Sequence, residues 1–321
     1  MIFKLSEFSQ LWPLPFGERL ERGFERVRDG ASKTKTMNTN RRQFITTLGL
    51  SAIGLSAGIP VWALEKKTVQ LDKIGFISGI VDNFITKDWK GTLEKLAKQG
   101  YTEMEFGNYF GDSLSEFKSV CKSLGINPFA GGSSMSDMQK ETDKQIAEAL
   151  ETGKTHWVCY WPWLSDAKNI TADEAKTAAD NLNKLGEACR KGGIKFCWHN
   201  HNWEFEKATS EGFPFDILMK NTDPKTVKTE MDIYWVKKGG GDPIECLKKY
   251  PGRFEILHVK DMDATPEKSF ACPGSGIIDF RPIFREAWDQ GVRHYIVEKD
   301  AEKNGIECLK TSAEYLKNLR F

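Results

Sequence analysis

The feature that most constrains this chain is an alternation of strand and helix patterns that begins near Leu71 and repeats eight times. Apolar runs alternate with amphipathic segments, several of which end at glycine. Eight such units in about 250 residues match a (β/α)8 TIM barrel, an α/β fold. The alternative is a doubly wound open sheet, but that fold usually carries a glycine-rich turn after its first strand. Residues 78–82, Ser-Gly-Ile-Val-Asp, do not form that motif.

The pattern sets approximate bounds for each element. The predicted strands are 73–81, 101–107, 126–130, 155–163, 194–201, 227–234, 254–259 and 294–297. The predicted helices are 89–98, 113–124, 136–152, 171–190, 213–219, 243–249, 280–290 and 306–319. Thr171 and Glu174 form a capping-box pattern at the start of the longest helix.

The amino-terminal segment resembles a bacterial twin-arginine export signal. Arg41 and Arg42 precede a mildly apolar run that ends in Val61-Trp62-Ala63, a small-residue cleavage site. We predict that residues 1–63 are an extension and a removed signal, that translation starts at Met37, and that residues 64–321 form one exported, periplasmic domain. A membrane anchor would remain if cleavage failed, although the run is interrupted by glycine and proline and falls short of about 20 continuous apolar residues.

Composition excludes some functions and partners. The part after Ala63 is slightly acidic and has no basic run, which argues against nucleic-acid binding. No membrane contact is expected once the signal is removed. The seven cysteines are scattered singly without a C-x-x-C motif, so we expect no disulfide framework and mostly small buried side chains.

Polar residues collect at the predicted carboxyl ends of the strands, where TIM-barrel enzymes place their chemistry. His199 and His201 lie two apart at the end of strand five, so they share a face. Four residues end the adjacent strands five to eight and are the predicted metal ligands: His199, Asp232, His258 and Glu298. Mixed imidazole and carboxylate donors favour one ion of Mn, Co, Zn or Fe, with Mg less favoured.

Each predicted ligand also has a structural alternative. Asp232 can cap the following turn, Glu298 can pair with Lys260 or Lys299, and His258 can be a buried structural histidine. It is less probable that all four residues end adjacent strands by chance than that any one of these alternatives holds. His156 and His294 lie early in their strands and are therefore predicted to be structural.

Six segments in this order resemble the sugar phosphate isomerase/epimerase family, the xylose isomerase-like barrels, over residues 71–319. They are His199-Asn-His-Asn-Trp-Glu-Phe205, Met231-Asp-Ile-Tyr-Trp235, Gly241-Asp-Pro243, His258-Val-Lys-Asp261, Gly274-Ser-Gly-Ile-Ile-Asp-Phe280 and Ile296-Val-Glu298. The resemblance implies a TIM barrel that holds a divalent metal, with Asp232, His258 and Glu298 as ligands. Many epimerases of the family have glutamate where this chain has His199, which puts a two-carboxylate epimerisation in doubt.

These residues predict a metal-dependent sugar isomerase or epimerase that removes a proton next to a carbonyl through an enediolate. Glu298, His199 and His201 are the predicted catalytic groups, and Glu105, Trp235 and Lys260 the predicted substrate contacts. For Lys260, a salt bridge with a carboxylate at the barrel mouth is the alternative. Two other functions stay open: an exported lyase or hydratase of 3-keto glycosides, and a non-catalytic sugar-binding barrel. The expected partner in each case is a small sugar or glycoside.

Overall fold

Eight parallel strands close into a barrel within residues 67–165 and 167–321, the part of the chain that the computed structural model describes. The strands follow one another round the barrel in chain order, and the last pairs with the first. They are β1 (Gly75–Ile77), β2 (Glu103–Glu105), β3 (Asn127–Ser134), β4 (His156–Trp161), β5 (Lys195–His199), β6 (Lys228–Asp232), β7 (Phe254–Val259) and β10 (His294–Val297). The predicted (β/α)8 barrel is confirmed.

Helices connect the strands and cover the outside of the barrel. They are α1 (Asp82–Ile85), α2 (Trp89–Gln99), α3 (Leu114–Leu124), α4 (Met135–Met138), α5 (Thr142–Glu151), α6 (Ala172–Gly192), α7 (Trp203–Glu206), α8 (Pro214–Asn221), α9 (Ile233–Lys238), α10 (Pro243–Lys249), α11 (Phe280–Asp289) and α12 (Gly305–Asn318). Short 3-10 turns cover Ser78–Val81 and Ala167–Asn169.

Local signals explain several helix ends. Thr171 and Glu174 form the predicted capping box at the start of α6, which satisfies backbone N–H groups that have no partner within the helix. Gly100, Gly125 and Gly193 follow α2, α3 and α6 with φ values of 96°, 69° and 87°. This left-handed conformation favours glycine, because a side chain would clash with the backbone.

The structure differs from the predicted bounds in several places. β1 ends at Ile77 where the prediction had residue 81, and β3 continues to Ser134 where the prediction had residue 130. The predicted helix 136–152 is divided into α4 and α5, and Glu141 between them has a φ of 48°. The predicted strand 227–234 ends at Asp232, because the Asp232 carboxylate accepts a hydrogen bond from the Trp235 backbone N–H and starts α9 there. Ile233 and Tyr234, which were predicted to lie in the strand, therefore belong to α9.

A small antiparallel hairpin follows β7 and was not predicted. Its strands are β8 (Asp261–Met262) and β9 (Phe270–Ala271). The Asp261 carboxylate holds the following loop by accepting backbone hydrogen bonds from Gly274, Gly276 and Ile278 at 3.0, 3.0 and 3.1 Å. The hairpin therefore has a fixed position beside the carboxyl end of β7.

A disulfide joins Cys272, after β9, to Cys308 in α12. The expectation that the cysteines would be mostly small buried side chains holds for Cys121, Cys159, Cys189 and Cys197. For Cys272 and Cys308 it is wrong. The two residues are 36 positions apart in the sequence, and only the barrel brings the loop after β9 against the start of α12.

The predicted start at Met37, the twin-arginine signal and the cleavage after Ala63 fall on residues 1–66, outside the described residues. They stay predictions. Within the described ranges, no helix has the length and apolar character needed to cross a membrane.

Candidate functional site

The four predicted metal ligands meet at one point, at the carboxyl ends of β5, β6, β7 and β10. One donor atom from each of His199, Asp232, His258 and Glu298 lies within 4.8 Å of the others. The register explains the meeting, because Asp232 on β6 lies directly beside His258 on β7. The first three side chains are buried and Glu298 is half-buried.

His258 lies between two groups of carboxylates. Its Nδ1 is 2.7 Å from Glu298 Oε2, and its Nε2 is 2.9 Å from Glu105 Oε2 and 3.1 Å from Glu230 Oε1. Burial lowers the pKa of His258, but the three carboxylates outweigh this effect and hold the pKa well above its ordinary value. The His258 ring therefore contacts the candidate ligand Glu298 on one side and the deeper carboxylates of Glu105 and Glu230 on the other.

His199 is held in one orientation. Its Nδ1 is 2.9 Å from Glu230 Oε1, and its Nε2 lies 3.9 Å from Asp232 Oδ2. Burial and the neighbouring His258 lower the pKa of His199 well below its ordinary value, so the ring is neutral. A neutral ring that donates from Nδ1 has its lone pair on Nε2, on the side of Asp232.

Asp232 has a different environment at each oxygen. Oδ1 accepts the 2.9 Å hydrogen bond from the Trp235 backbone that caps α9, as the structural alternative for this residue predicted. Oδ2 lies 3.0 Å from the Lys260 ammonium but accepts no hydrogen bond of suitable geometry within the described ranges. Burial raises the pKa of Asp232 to about 6, and Lys260 opposes the shift. The cap and a ligand role are compatible, because they use different oxygens.

Lys260 is fully buried among three carboxylates. Its Nζ lies 3.0 Å from Asp232 Oδ2, 3.0 Å from Glu298 Oε2 and 2.7 Å from Asp300 Oδ2. Burial lowers the pKa of Lys260, but the carboxylates raise it well above its ordinary value. These distances agree with the salt bridge that was the alternative interpretation of Lys260. The contact of Lys260 with substrate stays a prediction.

His201 lies at the mouth and is half-buried. Its ring centroid is 4.9 Å from that of His199, 5.2 Å from that of Trp161 and 5.7 Å from that of Trp235. Its backbone N–H donates to Glu204 Oε2 at 2.9 Å. Burial and the positive charge of Lys260 lower the pKa of His201 to about 3, so this ring is also neutral. The aromatic rings and His201 form one wall of the mouth.

Glu105, a predicted substrate contact, is fully buried and its two oxygens are engaged by Tyr160 and His258. Its contact with substrate stays a prediction. His156 and His294 lie at the other end of the strands, where His294 pairs with Glu103 at 3.0 Å and His156 with Glu255 at 3.7 Å. These contacts agree with the structural role predicted for both histidines.

Sequence reasoning did not assign a role to Glu230, Tyr160 or Asp300. Strand alternation carried a signal for Glu230, because it lies two residues before Asp232 and so points to the same side of β6. Tyr160 carried the same signal on β4, four residues after His156. Asp300 follows β10 and becomes recognisable only through its contact with Lys260.

The donor set fits a divalent cation. Five carboxylates surround one lysine and the rings of His199 and His258, so negative charge is in excess in a buried environment, which is costly without a compensating cation. The five are Glu105, Glu230, Asp232, Glu298 and Asp300. Two imidazoles with carboxylate oxygens suit Mn, Co, Fe or Zn.

Comparison with known proteins identifies the family. The sequence pattern of the Xylose isomerase-like TIM barrel family matches residues 93–319. The chain belongs to this family. An inosose dehydratase from Geobacillus kaustophilus is 26% identical over 303 residues, which cover 79% of this chain and 96% of that protein. An inosose dehydratase from Clostridium perfringens is 31% identical over 168 residues, 46% of this chain and 56% of that protein.

A solved structure agrees with this assignment. A sugar phosphate isomerase/epimerase from Parabacteroides distasonis superposes with a TM-score of 0.65 and 28% identity, over 76% of this chain and 93% of that chain. This member of the xylose isomerase-like family therefore belongs among enzymes of isomerase, epimerase or dehydratase type.

Proposed function

We propose that the protein is a divalent-metal-dependent enzyme that removes a proton next to the carbonyl of a sugar or a related polyol and so isomerises or epimerises it. The supporting observation is the meeting of His199, Asp232, His258 and Glu298 within 4.8 Å of one another, in excess negative charge, at the carboxyl ends of barrel strands. This is the end of a TIM barrel at which catalytic residues lie.

His199 through Nε2, Asp232 through Oδ2, His258 through Nδ1 and Glu298 would hold the proposed metal. For His199 and Asp232 the proposed donor is the atom left over when the other one is already engaged. For His258 it is Nδ1, which faces Glu298 Oε2, because Nε2 faces the deeper carboxylates Glu105 and Glu230. A bound divalent ion acts as a Lewis acid that makes the carbon acid beside a carbonyl easier to deprotonate.

Two side chains are placed to move protons. Burial raises the pKa of Glu298, but Lys260 and His258 outweigh it and hold the pKa well below its ordinary value, so its carboxylate is ionised. We assign it the role of base because it lies at the carboxyl end of β10, beside the other candidate ligands. His201 is neutral at the mouth and provides a second group, which accepts or returns a proton at another position. Trp161 and Trp235 beside His201 offer flat apolar faces that suit the C–H surfaces of a sugar.

The second candidate function is dehydration. The same first proton transfer is followed by breakage of the C–O bond at the neighbouring carbon, and a protonated hydroxyl leaves as water. Two observations favour it: an imidazole, His199, in place of the glutamate of many epimerases, and the inosose dehydratase relative that matches over 96% of its length. Loss of an aglycone from a 3-keto glycoside is the corresponding lyase reaction.

Metal analysis and NMR in D2O test these functions. The purified protein is analysed for bound metal, loaded with Mn²⁺ or Co²⁺, and incubated with free ketoses, an inosose and 3-keto glycosides. Deuterium entering at carbon with an intact product skeleton supports isomerisation or epimerisation. Loss of water or aglycone supports elimination instead. Binding of a sugar with neither exchange nor turnover, or an absence of metal uptake, contradicts the proposal.

Replacing His201 by Gln is expected to lower kcat by about 10²–10⁴-fold, the usual contribution of one proton-transfer group, while metal content stays that of the wild type. The matched control is His294→Gln, because His294 lies at the opposite end of the barrel and pairs with Glu103. Steady-state kinetics and metal analysis of both variants make the measurement. Equal kcat values for H201Q and the wild type would remove His201 from the mechanism.

A further inference from the structure

Beneath the candidate ligands lies a side chain to which no role has yet been given. Glu230 is on β6 two residues before Asp232, so it faces the barrel interior one layer deeper, and it is fully buried. Its Oε1 lies 2.9 Å from His199 Nδ1 and 3.1 Å from His258 Nε2. One carboxylate oxygen therefore contacts both imidazoles, each through the ring nitrogen that is turned away from the proposed metal.

The contacts with Glu230 place a proton on one nitrogen of each ring. A carboxylate accepts hydrogen bonds, so His199 donates from Nδ1 and His258 donates from Nε2. In His258 the other nitrogen, Nδ1, also carries a proton as long as no metal replaces it, because it lies 2.7 Å from the Glu298 carboxylate. The remaining nitrogens, His199 Nε2 and His258 Nδ1, face Asp232 and Glu298. Partners of this kind set the tautomer of a ligating histidine, hold its ring plane and increase its basicity.

A purely structural role explains Glu230 poorly. Its Oε2 is buried and accepts no hydrogen bond among the described residues, and an unsatisfied buried carboxylate oxygen costs free energy. The buried carboxylate of Glu230 therefore lowers the stability of the fold. What it provides in return is contact with both candidate histidine ligands.

We propose that Glu230 is a positioning residue that orients His199 and His258 together and thereby sets the affinity of the site for a divalent metal. This inference rests on the proposed function, since it needs the metal. Glu105 shares the contact with His258 at 2.9 Å but has no contact with His199 among the hydrogen bonds and ion pairs of the described residues. Glu230 is thus the residue through which the two rings are coupled.

The test uses Glu230→Gln in the full-length protein. Glutamine keeps the shape and one acceptor oxygen, so the metal-free variant is expected to unfold at the temperature of the wild type or slightly above it. Affinity for Mn²⁺ and for Co²⁺, measured by calorimetric titration, is expected to fall about 10–100-fold. The visible spectrum of the Co²⁺-loaded variant is expected to change as well, because the donor strength of two ligands changes.

The chain contains a matched control. Glu103 is also a buried carboxylate on a barrel strand, and it pairs with His294 at 3.0 Å near the opposite end of the barrel. Glu103→Gln removes a comparable carboxylate–imidazole contact, but metal affinity is expected to stay at the wild-type value. A second measurement needs no variant: nitrogen-15 NMR of the wild-type protein loaded with diamagnetic Zn²⁺ is expected to show His199 protonated at Nδ1 and His258 protonated at Nε2.

Four outcomes overturn the inference. Wild-type metal affinity in the Glu230→Gln variant shows that Glu230 does not act on the ligands, and the opposite tautomers in the NMR spectrum show the same. Two bound ions in the wild type and one in the variant make Glu230 a ligand instead. If the wild type takes up neither Mn²⁺ nor Co²⁺, the proposed function fails together with the inference. If the wild type binds metal and only the result for the variant or the tautomers disagrees, the inference fails alone.

Discussion

Replacing Asp232 by Asn is expected to lower kcat/KM by at least ~10³-fold and to leave the purified protein with much less than one metal ion per chain. The physical reason is that the substitution removes the charge at Oδ2, the proposed metal donor, which accepts no hydrogen bond among the described residues. Asparagine is as good a helix cap as aspartate, so the contact from Oδ1 to the Trp235 backbone and the start of α9 survive. Metal analysis, steady-state kinetics and thermal unfolding make the measurement.

Asp242 provides the control for this experiment. It caps the next helix, α10, by accepting from the backbone of Ile244 and Glu245, and it lies outside the charged cluster. Asp242→Asn makes the same chemical change at a second helix start, and activity and metal content are expected to stay at wild-type values. Full activity in Asp232→Asn, or equal losses in the two variants, contradicts the metal assignment. Treatment of the wild type with a chelator, followed by restoration with Mn²⁺ or Co²⁺, gives an independent reading of the same site.

Replacing Lys260 by Met is expected to destabilise the metal-free protein by about 3–5 kcal/mol, because it leaves buried carboxylates without their cation. Asp232, Glu298 and Asp300 all lie within 3.0 Å of the Lys260 ammonium, and the lysine itself is fully buried. Part of this loss is expected to be recovered when Mn²⁺ is added, because a bound cation compensates the same charges. Urea unfolding with and without metal makes the measurement.

The matched control for Lys260 is Lys249→Met. Lys249 also contacts a carboxylate, Asp216, at 2.8 Å, but its side chain is 52% exposed. Exposed ion pairs contribute about 0–1 kcal/mol, so this variant is expected to remain close to the wild type. If Lys260→Met unfolds like the wild type and instead raises KM for the sugar, then Lys260 binds substrate, as the sequence analysis predicted, and the salt-bridge interpretation is wrong.

The four residues that converge could be located from the sequence because the fold has a rule about where functional side chains lie. Catalytic side chains of TIM barrels lie at the carboxyl ends of the strands, so finding His199, Asp232, His258 and Glu298 at four consecutive strand ends predicted that they would meet. The parallel register of β5, β6, β7 and β10 then brings them within 4.8 Å. Strand order and the approximate position of each strand end were both readable from the pattern of apolar runs.

The second layer of the site was not located in this way. Glu230 was visible as a residue near the end of β6, but its role depends on how far it reaches toward His199 on β5 and His258 on β7. Asp300 lies beyond β10, and nothing in its neighbourhood along the chain connects it with Lys260. Distances of 2.7–3.1 Å between residues on different strands depend on register and side-chain packing, which strand patterns do not specify.

By itself, the sequence determined the eight-unit barrel, most helix ends and the four residues that converge at its mouth, because periodicity, capping residues and glycine act locally along the chain. Only the tertiary structure decided which groups surround those four residues. The burial of Lys260, the contact of Glu230 with two histidines and the bond between Cys272 and Cys308 all depend on neighbours that are distant in sequence. Long-range packing fixes such neighbours, and local patterns do not encode it.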